Sequence, residues 1–165
     1  MNIAVEHQLA GARKRFLLPW LGAIASSLTL AALGYALAGG IGQAQGQLPP
    51  LPKMITVAGF IWCGLVLFLR GQVLEPTGIA ARLTAPDVAA VVRHLLAGYL
   101  VLWSATVVPC IIGIAQLVAG GDARMHLLLC AASVSALGYL FPAHLKLVEL
   151  TEKALAILQR VSESR

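Results

Sequence analysis

Histidine and cysteine are the side chains in this sequence with the most obvious capacity for chemistry beside apolar surroundings. His94 and His144 stand at the same end of two consecutive apolar segments, which a five-residue polar break, Gly120 to Arg124, folds back on one another. Two imidazoles from facing helices can ligate haem iron axially or help to hold a metal. His94 and His144 are therefore the candidate cofactor ligands, although ordinary interfacial histidines beside Arg93 and Lys146 are the more economical expectation, with no cofactor bound. His126 belongs to the opposite end and cannot join them. Cys63, Cys110 and Cys130 all fall inside apolar segments with no CxxC or other ligand spacing, so they read as small buried apolar residues, and a zinc or iron–sulfur centre is not expected.

The elements that must position these residues are membrane helices. The 165 residues are 59% hydrophobic and 12% charged, whereas a soluble domain has about a quarter charged. From Leu95 to Ala119 there is no charged side chain over 25 residues, and at about 1.5 Å per residue this exceeds the roughly 30 Å hydrocarbon thickness. The same reasoning gives four spans near residues 16–38, 52–70, 88–119 and 125–145. The second is short before Arg70 and needs Leu51 and a snorkelling Lys53 to reach across.

The expected fold is all-α: a polytopic membrane protein of four transmembrane helices in two antiparallel hairpins, 16–70 and 93–146, within one membrane domain. Residues 1–15 form a cytoplasmic tail or short surface helix, and 71–92 form a cytoplasmic connection. Pro19 is expected in the first turn of its span, where the missing amide hydrogen costs nothing. Gly39 to Lys53 reads as a loop and Pro76-Thr77-Gly78 as a turn. Thr84 and Asp87 form a predicted capping box, Thr84 accepting from the free amides of the third span. Pro109 frees the carbonyl of Ala105 and predicts a kink, and Pro142 frees that of Gly138. Ala-Gly-Gly follows both the first and third spans, with Met54 and Met125 in matching places, as a tandem duplication would leave them.

Basic residues orient the chain. Ten of the 12 Lys and Arg fall on one side, leaving Lys53 and Arg124 on the other, so both termini and the 71–92 connection are expected in the cytoplasm of a bacterial-type plasma membrane. Because the basic residues are dispersed along loop edges, nucleic acid is not an expected partner. Arg70, Arg82 and Arg93 could instead meet anionic headgroups or an acidic partner.

No carboxylate lies deep in a span, and no ionisable group is expected there, which excludes proton-coupled transport and the ion-binding rotor proteolipids. Tyr99, Trp103, Pro109 and Cys110 could line a quinone or lipid pocket, with helix packing the favoured use. The last stretch, 147–165, is an amphipathic helix. Its stripe of Leu147, Leu150, Ala154, Ile157, Leu158 and Val161 needs cover, which makes Leu150, Ala154, Ile157, Leu158 and Val161 the candidate partner-binding residues. The functional expectation is a non-catalytic, non-enzymatic accessory or assembly subunit that contacts other integral membrane subunits, further copies of itself, and lipid. The alternatives are a small oligomeric transporter or channel for a neutral solute or lipid, and a haem-binding redox subunit.

Overall fold

A computed structural model describes residues 3–40, 50–83 and 85–163. Six helices follow one another: α1 (Ile3–Gly40), α2 (Pro50–Val73), α3 (Pro76–Ala81), α4 (Val88–Val118), α5 (Ala123–Tyr139) and α6 (His144–Glu163). The segments Leu9–Gly39, Leu51–Val73 and Val88–Val118 are long and apolar enough to cross a membrane, and α5 with α6 supplies a fourth candidate bent by 60°. This is the architecture of a polytopic helical membrane protein.

The N-terminal stretch differs from expectation. Residues 3–15 form no separate tail or surface helix but are the first turns of α1, which buries Leu9, Ala12 and Phe16. Pro19 consequently sits inside the helix, where it removes the bond to the Arg15 carbonyl. In α2 the prolines do fall in the first turn: Pro50 and Pro52 open the helix, and Thr56 Oγ1 donates to the Pro52 carbonyl at 2.9 Å. With 24 residues at about 1.5 Å each, α2 is long enough to cross, and it takes in Leu51 and Lys53 to reach that length. Most of the Gly39 to Lys53 loop, residues 41–49, lies outside the described residues.

Pro76 starts the short helix α3 in place of the expected turn, its fixed φ suiting a first helical position equally well. Asp87 is itself the N-cap of α4, accepting from the Ala89 and Ala90 amides at 3.0 and 3.2 Å. The Thr84 half of the predicted capping box lies outside the described residues. Gly120, at φ 84°, provides the left-handed residue that ends α4, and Asp122 caps α5 by accepting from the Arg124 amide at 2.9 Å. The fourth span bends at Pro142 as expected, by 60° between α5 and α6. A residue before proline is pushed out of the α region, so α5 ends at Tyr139, and the Gly138 carbonyl accepts from the Phe141 amide at 3.1 Å.

Packing centres on α4 and α5. Both α1 and α2 pack against each of them, whereas α1 and α2 do not form a packed pair among the described residues. The symmetry of a duplicated hairpin would require the first pair to pack as the second does, and it does not. Beyond the bend, α6 lies on α3, on α1 and on α4. Its Leu147, Val148, Ala154, Leu155 and Leu158 join Leu9, Phe16, Ile79, Tyr99 and Trp103 in one apolar cluster. On its outer side Lys153 donates to Glu149 at 2.6 Å, which holds that carboxyl below the usual carboxylate range.

Candidate functional site

Position 126 holds a buried imidazole that the sequence reading did not place inside the bundle. An imidazole needs polar company or close shielding when removed from water, and His126 is fully buried in the second turn of α5. It fits because two facing helices carry no side chain there. A Cβ on Gly34 of α1 would overlap the ring, and one on Gly113 of α4 would stand 2.5 Å from Nδ1. One turn further along α5, Cys130 Sγ lies 3.6 Å from His126 Nε2. An ionisable group is thus present inside the bundle after all.

From there a polar seam runs between α1, α4 and α5. The Cys110 thiol of α4 faces the side chains of Cys130 and Ser133 on α5 and of Ser27 on α1, with Cys63 of α2 close by. Toward the α4–α5 turn the seam ends at Gln116, packed under Gly121. Ser27, Gln116, His126 and Ser133 are all wholly buried. Both polar atoms of the Gln116 amide have no hydrogen-bond partner among the described residues, and the Ser27 and Ser133 hydroxyls have only the Cys110 thiol beside them. Thr106, at the other end, donates back to the Leu102 carbonyl.

A signal for this seam was present in the spacing. Residues 126, 130 and 133, like 106, 110 and 113, recur at three- and four-residue intervals and so share a helical face. Read one at a time they are small or interfacial residues; read as faces they converge. Cys110 and Cys130, unrelated in sequence, meet for the same reason.

Tyr99, Trp103, Pro109 and Cys110 do not line a common pocket, all four being buried in the bundle. Trp103 and Tyr99 stack at 5.2 Å, Phe16 meets Tyr99 edge-on at 5.9 Å, and Trp103 Nε1 donates to the Leu140 carbonyl at 3.2 Å. Trp20 likewise donates to the Leu137 carbonyl at 2.9 Å. The Ala105 carbonyl that Pro109 frees is taken by Trp62 of α2, whose Nε1 donates at 2.8 Å. Indoles therefore satisfy the end of α5 and the proline gap of α4.

His94 is half-buried on α4 and His144 is exposed at the first residue of α6, and no hydrogen bond or ring contact joins them among the described residues. Of the expected partner-binding residues, Ala154 and Leu158 are buried within the chain, Leu150 and Ile157 are half-buried, and Val161 is 46% exposed. Within the chain the stripe is largely covered by α3, α1 and α4, which leaves less of it for the outside partner that the sequence favoured. Comparison with protein-family models, with curated proteins and with solved structures finds no match.

Proposed function

We propose that this chain is a non-catalytic accessory subunit that assembles with other helices in the membrane. Its helices would cross as two hairpins in sequence order, with both termini, α3 and α6 on the cytoplasmic side of a bacterial-type plasma membrane. The observation that carries the reading is the outer face of α2. Among the described residues this helix packs chiefly on α4 and α5, while Met54, Val57, Ile61 and Phe68, three, four and seven residues apart on one face, are 57–69% exposed. Such a ridge suits helix-on-helix packing. Photo-crosslinking residues placed at Val57 and Ile61 should trap a second polypeptide in native membranes, whereas the same probe at Leu28 on α1 should trap lipid alone. Lipid adducts at all three positions would end the assembly reading.

A second reading, a small transporter for a neutral solute, draws support from the buried Gln116 amide, which has no partner among the described residues. Solute flux in proteoliposomes that is lost in Gln116→Leu and kept in a lipid-facing control would favour it over assembly.

A further inference from the structure

A cleft of about 230 Å³ opens where α2 ends and α6 begins, between Arg70, Glu75 and Lys146, over Leu74, Pro76 and Leu150. We infer that it binds the headgroup phosphodiester of an anionic phospholipid. Four features on the surface argue for this occupant. Arg70 closes the apolar run of α2 and Lys146 follows the bend after α5, so both cations stand where an apolar crossing gives way to polar surroundings. At the same level Tyr139 exposes its ring, and the Arg70 guanidinium lies 4.5 Å from that ring's centroid. This stack fixes the guanidinium while leaving its N–H donors free for phosphate oxygens.

Neither cation forms an ion pair among the described residues, whose two salt bridges join Arg93 to Asp87 and Lys153 to Glu149. The floor is apolar, with Leu74 buried and Leu150 half-buried, and it suits the glycerol ester region where a headgroup meets its chains. Glu75 leaves the lining with one net positive charge. A single phosphodiester matches that charge, and the Glu75 carboxylate accepts from the hydroxyls of a glycerol headgroup. Phosphatidylglycerol is thus preferred over phosphatidylcholine, which is neutral overall and has no headgroup hydroxyl to donate.

The site is independent of the α2 assembly face, so either can fail alone. Delipidated full-length protein in detergent is titrated with short-chain phosphatidylglycerol, phosphatidylcholine or inorganic phosphate, and bound ligand is counted by native mass spectrometry. Phosphatidylglycerol should bind. Arg70→Gln and Lys146→Gln should each weaken it roughly tenfold, the loss of one charge-assisted contact. Arg124→Gln at the far end should leave binding unchanged, as should Arg93→Gln in a separate cleft formed with Arg15 and Gly11. Lys146 is exposed, so its variant folds and decides the matter if Arg70→Gln does not. The proposal is overturned if phosphatidylcholine or inorganic phosphate binds as tightly. It is equally overturned if Lys146→Gln binds like the unaltered protein, or if Arg93→Gln causes the loss.

Discussion

The two ends of the bundle solve the same packing problem by opposite means. Toward α6, large rings fill space: Phe16, Tyr99 and Trp103 are almost wholly buried, and the Trp20 and Trp103 indoles both donate to carbonyls at the end of α5. Toward the α4–α5 turn, glycines let the backbones close around one imidazole, and the Gln116 amide is left without partners among the described residues. In lipid, where apolar burial gives helices little reason to prefer one another over acyl chains, association depends on close van der Waals fit and on hydrogen bonds between helices. The aromatic end has both. The seam has the close fit but only part of the hydrogen bonding, so its polar groups carry a cost that a ligand, a water or a moving helix would relieve.

The comparison can be broken most directly at the glycine slot. Gly34→Leu should destabilise the protein by about 3 kcal/mol in detergent denaturation, since overpacking costs roughly 1–3 kcal/mol and here a ring is in the way. Adding His126→Ala should recover part of that loss. The same change at Gly22, where a Cβ would meet nothing within 4 Å, should leave the midpoint almost unmoved. Equal effects at Gly34 and Gly22 would show that the helices do not close on His126.

A smaller effect sharpens the other end. Trp103→Phe keeps the ring but leaves the Leu140 carbonyl without its indole partner, a loss of about 1–2 kcal/mol. Trp62→Phe should cost less, because Trp62 is 37% exposed and the carbonyl it leaves is nearer the bundle surface.

The smallest change carries the opposite sign. Gln116→Leu removes an amide that has no partner at little change in volume, and should stabilise the fold by about 1 kcal/mol. Destabilisation in the same denaturation measurement would mean that the amide is satisfied in the membrane.

Much of the helix plan was legible because it rests on local rules. Charge-free runs placed α2 and α4 to within a few residues, but started α1 too late and ran α5 on through the break before α6; Pro109 marked the Ala105 carbonyl as free. Which group takes that carbonyl was not legible, since Trp62 lies 43 residues away and no local rule connects them. Asp87 was recognised as a capping residue but assigned the reaching-back role, because a threonine three residues earlier offered the familiar pattern. His126 was read only as belonging to the end opposite His94 and His144. Its burial depends on two glycines in other helices, which counting along one helix cannot see. The stripe on α6 was correctly apolar, but amphipathicity says only that a face is covered, and α1 reaches further back toward the N-terminus than its charge pattern suggested.

The missing contact between α1 and α2 has a bearing on how the molecule is made. Synthesis delivers these two helices to the membrane first, and among the described residues they have no packed interface to form. Each packs on α4 and α5 instead, so neither would have its place before α4 is made. A ribosome stalled before residue 88 would therefore leave an unassembled pair, with Trp62 lacking its carbonyl and Gly34 its imidazole. Membrane quality control would be expected to clear that product, so the second half of the chain serves as the internal chaperone of the first.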